Sequence, residues 1–409
     1  MAPEGPTPSS SDSTPRMSGA QKRFRLGAVL VVATAHLVHD IFSAFLPPIL
    51  PLLIRKLHID YTRAALLNVV RQVPSLLNPF MGLWADGGRL RFLLALGPAL
   101  TATAMSLLGW ADSYAMVTLL LLIVGIGVTC FHVPAPVLIK QASGNRVGRG
   151  MSLYMLGGET ARALGPIVIV AAVSWWGFEG TWRLIPVGLV ASALLVVPLF
   201  RMKEDQPNPT NTKPPLPIRD TLIRHRRFLL GMAAFTFLRA MLKSSLTLFL
   251  PTYLMARGER LWFAGAALTI MEVAGAAGTL LGGTLSDHLG RKRLLVFVSA
   301  TGPLAALVFL SMHGWASLLL LILVGFIVFA SSPILLALVQ ETARERPAFL
   351  NGIYMTISFA GSSVAVLLVG WLGDLMDLHQ ALVVASLASL GTVPVVFGLP
   401  DPPARPSEP

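Results

Sequence analysis

The chain has 409 residues, of which 54% are hydrophobic and 13% charged, and its formal net charge is +12. With a mean hydropathy of +0.69, it has too few polar residues to wet the surface of a soluble domain, so lipid is the expected solvent. The basic residues are not gathered into one patch, which argues against a nucleic-acid partner and for contact with a lipid bilayer.

Residues 1–26 are expected to form a disordered cytoplasmic tail, because the first twenty are rich in Pro, Ser, Thr and Gly. They lack the short hydrophobic core and small-residue cleavage site of a removed signal peptide, so the first helix is expected to remain as an anchor. A bilayer core of ~30 Å calls for ~20 apolar residues per spanning helix. Stretches of about that length fall at 27–50, 62–85, 92–111, 114–139, 150–175, 182–200, 228–255, 262–285, 294–312, 315–339, 348–371 and 380–399. The expected fold is an all-α membrane protein of twelve transmembrane helices in two six-helix, pseudo-symmetric halves, 27–200 and 228–400. A cytoplasmic linker at 201–227 joins them and a C-tail follows at 401–409, leaving no room for a further soluble domain.

The halves announce themselves by a repeated loop. The first copy reads Gly82-Leu83-Trp84-Ala85-Asp86-Gly87-Gly88-Arg89-Leu90-Arg91, and the second reads Gly283-Thr284-Leu285-Ser286-Asp287-His288-Leu289-Gly290-Arg291-Lys292. They fall between helices two and three and between eight and nine, as duplication of a six-helix unit requires. Parallel repeats of this kind rock around a central site, which points to a carrier. Asp86 and Asp287 can cap helix ends or pair with Arg89, Arg91, Arg291 and Lys292, contacts suited to gating between two states.

Most of the 32 Lys and Arg fall on the face holding the N-tail, the even-to-odd loops and the C-tail, which places both termini in the cytoplasm. Arg55, Lys56 and Arg63 are on the wrong side for this rule. In the linker, Pro207, Pro209, Pro214, Pro215 and Pro217 argue for little helix until about Ile218. The run Arg224-His225-Arg226-Arg227 then abuts helix seven, where acidic headgroups can meet it. The single cysteine, Cys130, excludes an internal disulfide and a thiolate metal site and reads as a small buried apolar residue.

Charges inside spanning helices are costly, so each is a functional candidate. His36 and Asp40 lie at i, i+4 on one face of the first helix, expected to face the cavity, where a carboxylate beside an imidazole can exchange protons. His39 fits a proton role or a structural one. Arg239 and Lys243 repeat the i, i+4 spacing in helix seven, and two cations on one face attract an anion. Arg71 in helix two can add to the same field or snorkel to the interface. His132 precedes Pro134 and Pro136, at a disrupted segment where it can bond substrate. Glu159 and Arg162, at i, i+3 in a Gly-rich fifth helix, can neutralise each other. Glu272 is a second proton carrier or a partner for Arg239. Gly157–Pro166 supplies small residues for close packing, with Gly165 and Pro166 as the candidate flexing point. Gln340-Glu341 closes helix ten, where capping or gating contacts are expected.

Ala35-His36-Leu37-Val38-His39-Asp40, Phe131-His132, Gly157–Pro166, Gly282–Lys292, and Val339-Gln340-Glu341 followed by Asn351-Gly352 together carry a resemblance. The chain resembles the major facilitator superfamily across its membrane region and, more narrowly, the fosmidomycin resistance protein family of bacterial efflux carriers. Arg239 falls where that family has a basic residue. The resemblance implies proton-driven export across a bacterial inner membrane and, from the family's name, an anionic phosphonate. The chain departs from the family in having Val133 before Pro134 and in the extra charges Arg71, Glu159 and Arg162. Those extra cations suit a more highly charged anion, such as a dicarboxylate or phosphorylated metabolite.

The expectation is a monomeric secondary carrier, not an enzyme, that exports a small organic anion in exchange for protons. Asp40, His36 and Glu272 would carry protons, and Arg239, Lys243, Arg71 and His132 would bind the anion. No cofactor and no metal are expected: the sequence has no Gly-x-x-x-x-Gly-Lys-(Ser/Thr) nucleotide loop and no evident metal-ligand cluster. Proton-linked uptake of a carboxylate is the alternative within this fold, and a non-transporting sensor or scaffold is the alternative outside it.

Overall fold

The computed structural model describes residues 24–78, 89–144, 146–201, 218–342 and 347–399. These form α1 (Leu26–Leu57), α2 (Tyr61–Gln72, continued by a 3₁₀ stretch Val73–Leu77), α3 (Arg89–Ser106), α4 (Tyr114–Ser143), α5 (Val147–Trp176) and α6 (Ile185–Arg201). The second half comprises α7 (Ile218–Ala256), α8 (Leu261–Leu289), α9 (Arg291–Ser311), α10 (Trp315–Thr342), α11 (Pro347–Leu375) and α12 (Leu378–Gly398). Among the described residues, eleven helices are long and apolar enough to cross a membrane; α2 runs toward 79–88, outside the described residues. On α6, Val187, Val190, Leu194 and Val197 are exposed at helical spacing, a stripe that only lipid would cover favourably.

Prolines set where the helices break. α1 is two pieces, Leu26–Ser43 and Leu46–Leu57, because Pro47 has no N–H to offer the carbonyl of Ser43. That carbonyl instead accepts from Arg71 Nη1 at 2.9 Å, as membrane burial demands of a freed backbone group. α4 breaks at Val133, between Tyr114–His132 and Pro134–Ser143, where Pro134 and Pro136 interrupt the ladder. Other ends are capped by side chains: Asp60 accepts from Arg63 N at 2.6 Å, Ser113 from Met116 N at 3.2 Å, and Asp377 from Gln380 N at 2.8 Å.

The bundle has a terminal end, holding the first described residues and the end of α12, and a far end holding the α1–α2, α5–α6, α7–α8 and α11–α12 connections. Within the first half α1 packs on α5 and α3, and within the second α8 packs on α10 and α7 on α11. Between halves, α5 meets α8, α2 meets α11, and the second piece of α1 meets α7. The largest hydrophobic core unites both halves at the far end, bringing Phe45, Leu50 and Leu67 together with Phe249, Leu268 and Val366. Two smaller cores lie toward the terminal end, each within one half: one around Phe131, Leu138 and Leu199, the other around Phe235, Leu295 and Leu338. Among the described residues, the halves are therefore fused at the far end and separate toward the terminal end.

α7 is helical over its described residues, Ile218–Ala256, while residues 202–217 of the expected linker lie outside the described residues. The basic run Arg224–Arg227 is therefore the first part of a continuous helix.

Candidate transport site

The first half buries a polar cluster where α1, α4 and α5 meet. His36, His39 and Asp40 are 4%, 0% and 6% exposed. Asp40 Oδ2 lies 3.2 Å from His36 Nε2, and Asp40 Oδ1 lies 3.1 Å from His132 Nε2. His39 stacks on Phe131 at 4.6 Å, with Nε2 3.9 Å from Asp40 Oδ1. Tyr154 of α5 braces both other imidazoles: its carbonyl is 2.8 Å from His36 Nδ1 and its hydroxyl 3.4 Å from His132 Nδ1. Two corrections to the sequence reading follow. His36 and Asp40 do not line an open cavity; the accessible edge of the cluster is His132, whose side chain is 35% exposed. His36, Asp40 and His132 also bring three metal-capable atoms within 4.8 Å of one another, a ligand cluster not expected from the sequence because Asp40 and His132 lie on different helices.

Between the halves runs an ionic bridge. Arg162 pairs with Glu159 on its own helix, as their spacing suggested, and its Nε also lies 3.8 Å from Glu272 Oε2 on α8. Glu272 is thus the partner of Arg162 and not of Arg239, because α5 and α8 are in contact.

Arg239 and Lys243 of α7 turn toward α10. Arg239 Nε donates to Ser331 Oγ at 2.5 Å and its Nη2 to Ser332 Oγ. Lys243 Nζ lies 3.4 Å from Ser332 Oγ and 4.0 Å from the centre of the Phe329 ring, a cation–π contact. Among the described residues no carboxylate lies within ion-pair distance of either cation. Glu272, Arg162 and Glu159 are within electrostatic reach of Lys243. Arg162, Arg239 and Lys243, with the carboxylates Glu159 and Glu272, thus make a middle layer in which basic side chains outnumber acidic ones. Arg239 also borders a pocket among α7, α9, α10 and α12, lined by Phe235, Ser299, Ser331, Ser389 and Thr392.

Arg71 neither joins this layer nor snorkels. It is held on Ser43, through the carbonyl and Oγ at 2.9 and 3.3 Å, and on Asn68 Oδ1 at 3.2 Å, so its geometry is that of a clasp on the α1 break. Of the expected gating residues, Asp287 pairs with Arg291 at 3.1 Å and Arg91 donates to the Phe200 carbonyl at 3.2 Å. Lys292 follows Arg291 in the first turn of α9. Gly82 and Asp86 lie outside the described residues, as do the side chains of Arg89, Gln340 and Glu341. Gly165 and Pro166 sit inside an unbroken α5, where a Cβ at Gly165 would lie 2.8 Å from the Ile41 carbonyl of α1.

Sequence reasoning missed Tyr154, the Ser331-Ser332 pair and Asp374. Both Asp374 oxygens accept from the start of α2, Oδ1 from Tyr61 N at 2.7 Å and Oδ2 from Thr62 N at 2.8 Å and Thr62 Oγ1 at 2.5 Å. Two hydroxyls immediately before Pro333 in a membrane helix were a legible signal; Asp374, near a helix end, resembled an ordinary interfacial charge.

Comparison with known proteins places this geometry. The chain is 24% identical over 390 residues to the fosmidomycin resistance protein of Escherichia coli (strain K12), covering 94% of this chain and 95% of that one. It is 22% identical over 401 residues to an uncharacterised MFS-type transporter, YfnC, of Bacillus subtilis (strain 168), covering 91% and 92%. Its fold matches a D-xylose–proton symporter with a TM-score of 0.75 at 12% identity, covering 93% and 99%. It also matches a bacterial homologue of the lysosomal transporter Spinster in an inward-facing, occupied conformation, with a TM-score of 0.74 at 13% identity, covering 91% and 95%. The family model of the Major Facilitator Superfamily matches residues 32–366. With its two helical halves, buried charges and lipid-facing stripe, the chain is a multi-pass membrane transporter, not an enzyme, and belongs to the Major Facilitator Superfamily.

Proposed function

We propose that this transporter exports a small organic anion across a bacterial inner membrane by exchange with protons. The observation that carries the reading is the pair Arg239 and Lys243, half-buried and, among the described residues, with no carboxylate at ion-pair distance. Their serine partners are neutral, so the positive field is left for a ligand, and a guanidinium can grip a carboxylate, phosphate or phosphonate with two parallel bonds. The similarity to a fosmidomycin resistance protein supports export. The excess of basic residues beside the terminal end supports a cytoplasmic location for both termini. On that orientation, the separation of the halves toward the terminal end corresponds to an inward-open state.

Proton coupling is assigned to Asp40 with His36, whose protonation would bias the equilibrium between the two states of the carrier. Glu272, held by Arg162, serves the bridge between halves and is not assigned a proton in this reading. Arg239→Ala in proteoliposomes is expected to abolish transport of organic anions while the purified protein keeps its thermal unfolding profile; unchanged transport kinetics would reject the anion site. Asp40→Asn is expected to keep substrate-for-substrate exchange and lose accumulation driven by a pH gradient, and a full response in that variant removes Asp40 from the coupling.

A further inference from the structure

His36 presents an arrangement that hydrogen bonding alone leaves open. Its Nδ1 is 2.8 Å from the Tyr154 carbonyl, which only accepts, so Nδ1 carries the proton. In the neutral ring Nε2 then bears a lone pair, yet it faces Asp40 Oδ2 at 3.2 Å, and Nε2 is buried without a hydrogen-bond partner. In that tautomer two acceptors face each other, a gap that a proton on Nε2 or a bound metal cation closes. On the other oxygen of Asp40, His132 Nε2 stands at 3.1 Å, with its Nδ1 near the Tyr154 hydroxyl.

We propose that His36 Nε2, His132 Nε2 and the Asp40 carboxylate form a site for a divalent transition-metal ion of the zinc class. Two imidazoles and one carboxylate suit Zn²⁺ or Co²⁺ over Mg²⁺ or Ca²⁺, which favour all-oxygen sets. Tetrahedral ligation at about 2.0–2.1 Å separates ligand atoms by about 3.3 Å; each imidazole stands near that distance from a different Asp40 oxygen, and one ligand atom from each of the three residues lies within 4.8 Å of the others, so a small inward turn of the side chains closes the set. Tyr154 supplies the outer support that metal-binding histidines usually have: a carbonyl or hydroxyl on Nδ1 that fixes the tautomer and aims Nε2 inward. The part-exposed His132 gives the ion a way in and leaves a fourth position for water or an anion.

The binding claim stands apart from the transport reading. Were both correct, metal and proton would compete for the same lone pairs, and Zn²⁺ would arrest transport. The test uses full-length detergent-purified protein carrying an affinity tag without histidine. Titration with Co²⁺ followed by visible absorption, and with Zn²⁺ by calorimetry, is expected to give one ion per chain. Asp40→Asn and His132→Gln are expected to weaken binding by roughly 100-fold or more, and Tyr154→Phe, which keeps the carbonyl, by roughly tenfold. Thermal unfolding is recorded for each variant; if Asp40→Asn fails to fold, His132→Gln at the exposed edge carries the test. Absence of binding to the unaltered protein, or equal binding by the His132→Gln variant, overturns the site.

Discussion

Gly158 shows how an absent side chain positions a present one. It faces the ring of His36, and a Cβ built there would overlap the imidazole. The helix therefore reserves space for His36, whose orientation decides what Nε2 meets. Gly158→Ala is expected to push the ring off Asp40, costing about 1–3 kcal/mol of stability as overpacking does and reducing transport by more than tenfold. Thermal unfolding and proteoliposome flux measure the two effects; full activity with an unchanged melting profile would show that the ring position is not critical. The pairing of His36 with Asp40 was legible because i, i+4 is a local rule. The contributions of His132 and Tyr154 were not, since they depend on how α4 and α5 pack against α1. The same holds for Arg239: its cationic character was readable, but its serine partners lie 92 and 93 residues further along the chain.

Among the elements, α2 and α11 make the best-defined polar contact between the halves. The first N–H groups of a helix lack intrahelical partners and carry the positive end of its dipole. At α2, Asp374 fills that role from the other half of the molecule, which makes it a cap in trans. Opening the far end requires that cap to detach. Asp374→Asn removes the negative charge while keeping one acceptor and is expected to weaken the contact by about 1 kcal/mol, shifting the population roughly fivefold toward far-end opening. Spin labels at Trp110→Cys and Arg260→Cys, in a Cys130→Ser background, would read the shift as a longer distance population. An unchanged distribution would show that apolar packing alone holds this end. Helix number and placement were legible because apolar length against bilayer thickness is a strong constraint. The breaks in α1 and α4 follow from their prolines, whereas a cap donated by a distant helix leaves no local trace.

At the scale of the whole molecule, the Glu159–Arg162–Glu272 bridge crosses the interface between the halves, alongside the shared apolar core. The Arg162 side chain is 40% exposed and that of Glu272 only 5%, so removing the arginine leaves a buried carboxylate uncompensated while solvent screens part of the loss. Arg162→Ala strands two carboxylates and is expected to cost about 1–3 kcal/mol, whereas Glu272→Gln keeps a polar partner and should cost less than half as much. Chemical unfolding of both variants in one detergent tests this; equal losses would make the bridge energetically incidental. The two-half organisation was visible in the repeated loop. Which end would be closed was not visible, since sequence repetition constrains symmetry and is silent about the state a carrier occupies.

The break in α1 has one last consequence. Its second piece is built into the apolar mass that locks the halves together, while its first piece carries His36 and Asp40; the joint at Ser43–Phe45 is tied down by Arg71. A tilt of the outer piece would thus turn the inner one about a pinned pivot, rotating the imidazole–carboxylate pair relative to Tyr154 and His132. One polypeptide rod would then convert rocking of the two halves into a change in how tightly a cation is gripped, with no separate messenger between gate and ion.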